Sequence, residues 1–121
     1  MARKVTHPRR GEVWLVDFDP TLGAEIRKTH PALIIQNDTG NRMSPITIVA
    51  AITSTLKRTY PFQVYLPSGE GGLDVDSVVT LNHIRSIDRM RLVRRLGAVS
   101  REAMMAVDQA VLVSLGIDLV T

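Results

Sequence analysis

The segment from Asp19 to Pro31 brings together side chains that could bind a phosphate and move a proton. They are a carboxylate, two cations, a hydroxyl and an imidazole: Glu25, Arg27, Lys28, Thr29 and His30. Cations neutralise phosphate charge, and an imidazole, which titrates near ~6.5 when unperturbed, can serve as acid or base at neutral pH. The segment therefore suits phosphoryl transfer, although many charged loops are only solvated connections between strands.

A further hydroxyl is expected close to this loop. The β-branched, apolar run from Ile46 to Thr53 predicts the most buried strand of the chain, and it ends at the hydroxyls of Thr53 and Ser54. If the short apolar run at 32–36 pairs with it in the antiparallel sense, the register can place His30 near Thr53. That pairing would add a rigidly held hydroxyl to the cations and the imidazole of the loop.

Other kinds of reaction centre find little support in the sequence. The absence of cysteine excludes a thiolate nucleophile, a disulfide and a cysteine zinc site. The three histidines, His7, His30 and His83, have no ligand-like spacing, so we expect no metal site, and a structural role is favoured for His83. Gly69–Gly72 lacks the Lys-Ser/Thr pair of a phosphate-binding P-loop and is interpreted as a turn. No cofactor is expected.

The charged residues allow two interpretations. Fifteen Lys and Arg residues oppose twelve Asp and Glu residues, which gives a net charge of +3. Only Lys4, Lys28 and Lys57 are lysines, and arginine is well suited to planar, bidentate contacts with phosphate. The excess of arginine fits either a polyanionic partner or simple solubility, and the basic run Arg89–Arg95 either extends a binding track or is a solvated face.

The sequence also bears on compartment and domain organisation. No run approaches the ~20 apolar residues of a membrane span, and no apolar region follows the basic residues near the N-terminus. We therefore expect a soluble, cytoplasmic protein, in keeping with the lack of cysteine. Residues 1–9 are expected to form a flexible basic arm, and residues 10–121 a single domain.

Hydrophobic patterning predicts a mainly β domain with one helix. Strands are predicted over 12–18, 32–36, 46–53, 62–66 and 77–81, with shorter candidates at 85–87 and 91–96. The turn-forming residues of Asn37–Asn41 predict a turn. Ser100 is a good N-cap for a helix whose apolar residues recur at helical spacing, and Gly116 is a plausible stop. We predict an α+β fold, a small barrel or strongly curled sheet with a helix packed on it.

Several motifs, taken in their order and spacing, resemble those of the MazF/PemK family of toxins. The matching segments are Arg10–Thr21, Gly23–Glu25, Pro31–Asp38, Asn41–Arg42, Ser44–Pro45, Ile48–Thr53, Asp76–Val78, Arg85–Asp88 and Arg91–Leu92. The resemblance covers roughly residues 10 to 115. It implies an SH3-like small β-barrel with a C-terminal helix, and a protein that works as a homodimer.

The resemblance also implies an activity and a partner. It implies a type II toxin that is a sequence-specific, metal-independent endoribonuclease cutting single-stranded RNA. In that family the 2′-hydroxyl attacks the adjacent phosphate and leaves a 2′,3′-cyclic phosphate and a 5′-hydroxyl, so DNA is not cleaved. An acidic antitoxin, whose disordered tail folds across the RNA groove, is the implied partner.

Carried onto this chain, the resemblance assigns catalysis to Thr53, which matches the family's hydroxyl, and to Glu25, which matches an acidic residue of the first loop. The position before Pro31 is normally a catalytic arginine, and here it is His30. We hypothesise that His30 and Thr53 form the catalytic pair. Contacts with RNA are expected from Arg27, Lys28, Thr29, Ser54, Lys57, Arg58, Asp76 and Arg85.

The histidine has three possible consequences. His30 could act as general base or acid and make the rate depend on pH. Alternatively, the missing arginine leaves a weakened nuclease that still binds RNA and antitoxin. In the third case Arg27 or Lys28 supplies the missing positive charge.

Overall fold

A computed structural model describes residues 7–18, 29–54 and 59–118 of the chain. Within these ranges it contains six strands, two α-helices and two short 3-10 turns, at Glu70–Gly72 and Arg89–Arg91. In chain order the main elements are β1 (Glu12–Asp17), β2 (Thr29–Ile34), α1 (Asp38–Met43), β3 (Ile46–Thr53), β4 (Gln63–Leu66), β5 (Ser77–Asp88), β6 (Leu92–Ala98) and α2 (Arg101–Leu115).

Three elements differ from the sequence-based expectation. Strand β2 runs from Thr29 to Ile34 rather than over 32–36, so Thr29, His30 and Pro31 belong to the sheet and not to the preceding loop. The predicted turn at Asn37–Asn41 is wrong, because Asn37 caps helix α1: its side chain accepts a hydrogen bond from the N–H of Gly40. The candidate strands at 77–81 and 85–87 are parts of one long strand, β5. The helix predicted after Ser100 is confirmed, with Ser100 as its N-cap and Gly116 in the left-handed conformation at its end.

The six strands form one antiparallel sheet in the order β4-β5-β3-β2-β1-β6. Its two edge strands, β4 and β6, do not pair with each other, so the sheet is open. The 3-10 turn that follows β4 nevertheless packs against β6 at the opposite edge, which requires the sheet to curl strongly. The predicted α+β class, a barrel-like sheet with a C-terminal helix, is confirmed.

The sheet buries apolar side chains on both faces. On one face Leu33 and Ala50 belong to a core that also contains Val107 of α2. On the other face, Ala32 and Val49 belong to a second cluster, on which Trp14 and Phe18 pack. Neighbouring residues of a strand thus serve different cores, as strand alternation requires.

The N-terminal residues that the structure describes are packed on the domain. Pro8 is fully buried, and the backbone N–H of Arg9 donates to a carboxylate oxygen of Glu12 at 2.8 Å. The guanidinium of Arg10 forms a 2.6 Å ion pair with Asp108 of α2. Of the arm predicted over residues 1–9, the part from Pro8 onward therefore belongs to the folded domain, and residues 1–6 lie outside the described residues.

The curl of the sheet depends on glycine where the backbones of its two edges meet. Gly72 has a φ of +77°, and a Cβ atom there would overlap the carbonyl oxygen of Leu96. A Cβ atom on Gly97 would lie 2.7 Å from the carbonyl carbon of Gly71. Because real Cβ atoms do not approach backbone so closely, only glycine allows this contact between the 3-10 turn and β6.

Gly72→Ala is expected to lower the free energy of unfolding by about 2–5 kcal/mol, because the added methyl group collides with β6 and the positive φ is strained. Gly69→Ala is the matched control: Gly69 has a φ of +97°, but no atom lies within 4 Å of an added Cβ. For it we expect a loss of about 1–2 kcal/mol. Urea unfolding measures both values, and equal losses would contradict the role of the edge contact.

Candidate functional site

The pairing of β2 with β3 brings His30 and Thr53 together. The two strands are antiparallel, with Ala32 opposite Ala51, so the same register extended by two residues sets His30 opposite Thr53. The strand pairing predicted from the sequence is therefore confirmed. His30 and Thr53 are both exposed. His30 lies two residues before Ala32, and Thr53 lies four residues after Val49, so both side chains project from the face of the second core cluster, to which Ala32 and Val49 belong.

His30 and Thr53 line one cavity of about 330 Å³. Its other lining residues come from β2, β3, β5 and the residue after β1: Phe18, Pro31, Ala51, Ile52, His83 and Arg85. This volume lies at the lower end of the ~300–1,000 Å³ of ligand pockets. The cavity combines one hydroxyl, one guanidinium and two imidazoles, which together can neutralise an anion and transfer protons.

A bulge in β5 places His83 at this cavity. Ala50 pairs with Ile84, but Ala51 pairs with Thr80, so residues 81–83 are inserted into the ladder. Bulges of this kind redirect side chains. The backbone of Leu81 is held on both sides: its N–H donates to the carbonyl of Phe62 at 2.8 Å, and its carbonyl accepts from the Ser114 hydroxyl at 2.6 Å. Helix α2 and the residue that precedes β4 therefore fix the bulge by hydrogen bonds.

Phe18 holds two of the polar groups in place. The guanidinium carbon of Arg85 lies 4.9 Å from the centroid of the Phe18 ring, a cation–π contact. The imidazole of His30 lies on the same ring at a centroid distance of 6.4 Å and an interplanar angle of 35°. The aromatic ring thus limits where the cation and the imidazole can lie in the cavity.

A second cavity of about 570 Å³ adjoins the first and shares its residues His30, Pro31, Ile52 and Thr53. Its remaining polar side chains are those of Ser54, Asp74, Ser77 and Arg94. The two cavities meet at these four residues and are together called the groove, with Arg85 lining the first cavity and Arg94 the second.

The structure places the sequence-predicted residues in three groups. His30, Thr53, Ser54 and Arg85 line the groove. Thr29 and Asp76 line neither cavity: Thr29 pairs with Asp17 in the β1–β2 ladder, and Asp76 accepts a 2.8 Å hydrogen bond from the N–H of Ser68. The remaining candidates lie outside the described residues: Glu25, Arg27, Lys28, Lys57 and Arg58.

Asp76 fixes a loop at the border of the groove. Its carboxylate ties Ser68 to the start of β5, and the Ser68 hydroxyl donates to the carbonyl of Asp74 at 2.8 Å. Partial desolvation and, next, the nearby Asp76 carboxylate raise the pKa of Tyr65 above its ordinary value. Since Asp74 lines the second cavity, Asp76 acts on the groove through the conformation of this loop.

The parts played by two residues of the first cavity are not predicted from the sequence. The sequence places Phe18 at the end of a strand and within a family motif, and it favours a structural role for His83, but both residues line the first cavity and His83 is exposed. The spacing of His83 carries no local signal, because its position depends on a bulge that is fixed by residues distant in sequence. The one sequence signal near His83 is Arg85, which is predicted to contact RNA and lines the same cavity.

Comparison with known proteins identifies the family. Residues 9–115 match the family described as PemK-like, MazF-like toxin of type II toxin-antitoxin system. The chain belongs to this family. The resemblance seen in the sequence motifs is thereby confirmed over nearly the whole chain.

Solved structures of similar proteins share the fold of this family member. An endoribonuclease from a mycobacterial species is 24% identical, with a TM-score of 0.80 over 98% of this chain and 100% of that chain. A mycobacterial endoribonuclease solved in complex with its cognate antitoxin is 26% identical, with a TM-score of 0.77 over 93% and 99%. MazF from Deinococcus radiodurans is 28% identical, with a TM-score of 0.74 over 93% and 100%.

Neither α1 nor α2 is long and apolar enough to cross a membrane. Among the described His, Asp and Glu residues, no three side chains lie close enough together to hold a metal ion.

Ser114→Ala is expected to loosen the bulge, because the Leu81 carbonyl loses its hydrogen-bond partner. We expect the free energy of unfolding to fall by about 0.5–1.5 kcal/mol. Amide hydrogen exchange at residues 82 and 83 should become faster, which mass spectrometry of peptides can measure. Gln109→Ala, on an exposed position of the same helix, is the control and should change neither quantity. Unaltered exchange in Ser114→Ala would contradict the role given to this hydroxyl.

Proposed function

We propose that this family member is the toxin of a type II toxin–antitoxin system and a sequence-specific endoribonuclease that cuts single-stranded RNA. The observation that carries the proposal is the convergence of His30, Thr53 and Arg85 on one cavity of the groove. Family membership and the similarity to a solved endoribonuclease support it. The proposed compartment is the cytoplasm, where messenger RNA is found.

The proposed reaction is attack of a ribose 2′-hydroxyl on the adjacent phosphate. Arg85 neutralises the negative charge that grows on the phosphate oxygens, and Phe18 keeps that cation in place. Thr53, at the end of a buried strand, donates a hydrogen bond to a phosphate oxygen. His30 exchanges a proton with the reacting oxygens. The products are a 2′,3′-cyclic phosphate and a 5′-hydroxyl, formed without a metal ion, and DNA is not cut because it lacks the attacking group.

The groove extends beyond the scissile phosphate, and we propose that it binds the flanking nucleotides. In the second cavity Ser54 and Arg94 are placed to contact the sugar–phosphate backbone. Glu25, Arg27 and Lys28 precede β2 in the sequence, while Lys57 and Arg58 follow β3, so both segments begin or end beside the groove. We assign Glu25 to catalysis and the four cations to RNA binding. Thr29 and Asp76 contribute by fixing the strand and the loop that border the groove.

Two protein partners are part of the proposal. A related mycobacterial endoribonuclease was solved with its cognate antitoxin, which supports an antitoxin as the regulator of this chain. An acidic antitoxin segment would compete with RNA for Arg85 and Arg94, because both ligands present negative charge to the same groove. We also propose a homodimer, which light scattering of the purified protein can test.

The catalytic assignment is tested by mapping the cleavage sites on a long RNA by primer extension. His30→Ala is expected to lower the cleavage rate about 10²- to 10⁴-fold, as loss of a general acid or base does. Thr53→Val, which keeps the shape of the side chain, should lose about 10²- to 10³-fold. Thr39→Val, at an exposed position of helix α1, is the control and should cut normally. Normal cutting by both site variants would refute the assignment.

RNA binding can be measured separately with a 2′-O-methyl oligonucleotide that cannot react. Arg85→Gln is expected to weaken binding and to lower the slope of log affinity against log salt concentration by about 0.7, the value for one phosphate contact on a single strand. Arg101→Gln, at an exposed position of α2, is the control and should leave the slope unchanged. An unchanged slope for Arg85→Gln would place the phosphate elsewhere.

The alternative function is a family member that binds RNA and antitoxin without efficient cleavage. His30 itself favours this alternative, since the family resemblance leads one to expect arginine before Pro31. A wild-type protein that retains RNA but leaves it intact at every pH near neutrality would support the alternative. Cyclic-phosphate ends on the products would exclude it.

A further inference from the structure

Two imidazoles reach the cavity that we assign to the scissile phosphate. His30 belongs to β2 and His83 to β5, and these strands flank β3 on opposite sides. Since neighbouring strands are ~4.8 Å apart, the backbones of β2 and β5 are about 10 Å apart, with the cavity floor of β3 between them. A phosphate above Ala51 would therefore have one imidazole on each side.

The side chains of both histidines are on the correct face of the sheet. Ile84 packs into the core beneath α2, so its neighbours His83 and Arg85 project from the opposite face, where the cavity lies. His30 alternates with Pro31 in the same way and contacts the Phe18 ring. Both imidazoles are exposed, so each can exchange protons with water.

We propose that His30 and His83 act as a general acid–base pair in RNA cleavage, an inference that rests on the proposed endoribonuclease function. Displacement at phosphorus needs a proton acceptor at the attacking oxygen and a proton donor at the leaving oxygen, and these oxygens lie on opposite sides of the phosphorus atom. Two imidazoles on opposite sides of β3 meet this requirement. The pair also explains how a chain with histidine in place of arginine before Pro31 can remain a catalyst.

The two histidines account for both protons that move in the step. One neutral imidazole removes the proton of the 2′-hydroxyl as the bond between the 2′-oxygen and phosphorus forms. The bond between phosphorus and the 5′-oxygen breaks, and the other, protonated imidazole gives its proton to that oxygen. The two histidines end with exchanged protonation states, which proton exchange with water restores before the next turnover.

Charged groups surround the pair on several elements. Arg85 shares the cavity with both imidazoles, whereas Arg94 and Asp74 line the second cavity, which His30 also lines. A smaller cavity that shares Phe18 and Arg85 with the first is lined by three further charged side chains: Asp17, Asp88 and Arg91. Arg85 lies in the same cavity as both histidines and the proposed phosphate, so its charge affects all three. Arg85 is therefore left unchanged in all the variants compared below.

The pair predicts a bell-shaped pH dependence, because the rate requires one neutral and one protonated imidazole. The test measures cleavage of an oligonucleotide that contains one mapped site, from about pH 5 to pH 9. His30→Ala and His83→Ala should each lose about 10²- to 10⁴-fold in rate, and each should lose a different limb of the profile. His7→Ala is the control: His7 lies outside these cavities and should leave the profile unchanged.

A second substrate shows which histidine acts as the acid and which acts as the base. In this substrate sulfur replaces the 5′-oxygen of the scissile bond, and a thiolate leaves without needing a proton. One of the two histidine variants should regain the wild-type rate on this substrate, and the other should stay slow. Rescue of both variants or of neither would overturn the pair. A purely structural effect of either substitution would not be corrected by a better leaving group.

The outcomes also distinguish the inference from the function on which it rests. If the wild type cuts RNA but His83→Ala keeps its rate and both limbs of its profile, the pair is wrong and the endoribonuclease assignment stands. If the wild type cuts no RNA at any pH while binding it, the proposed endoribonuclease function is wrong, and the pair falls with it.

Discussion

Strand β3 is the element on which the rest of the site depends. It pairs with β2 on one side and β5 on the other, and it contributes Val49 and Ala50 to the cores on opposite faces of the sheet. Its position is therefore fixed by hydrogen bonds in the plane of the sheet and by packing above and below it. The reactive groups are attached to this rigid frame: Thr53 at its end, His30 opposite that end, and the bulge of β5 beside Ala51.

This arrangement accounts for which parts of the site could be predicted from the sequence. The run Ile46–Thr53 is long, β-branched and apolar, and its strand assignment needs no information beyond its own residues. Given that strand, an antiparallel neighbour at 32–36 sets His30 near Thr53 through register alone. The prediction of helix α2 also needs only local residues, because its N-cap, the spacing of its apolar residues and its terminal glycine all indicate the same helix.

The bulge and the cavity it forms could not be predicted, because they depend on contacts between distant residues. The bulge at residues 81–83 is held by the carbonyl of Phe62 and by the hydroxyl of Ser114, neither of which is near it in sequence. The same holds for the curl of the sheet, which requires Gly72 and Gly97 to meet across the sheet edges. The sequence predicts Asn37 in a turn rather than at a helix cap because a cap and a turn favour the same residue types.

The site divides two tasks between different side chains. Arg85, held on Phe18, provides a positive charge, and the imidazoles of the cavity provide ring nitrogens that can accept or donate a proton. The most direct test of RNA cleavage by this groove compares two oligonucleotides that differ in one 2′-hydroxyl, at the mapped cleavage site. We expect the all-RNA strand to be cut to a 2′,3′-cyclic phosphate and the single-deoxy strand to be bound but left intact. Cleavage of both strands at similar rates would contradict the account.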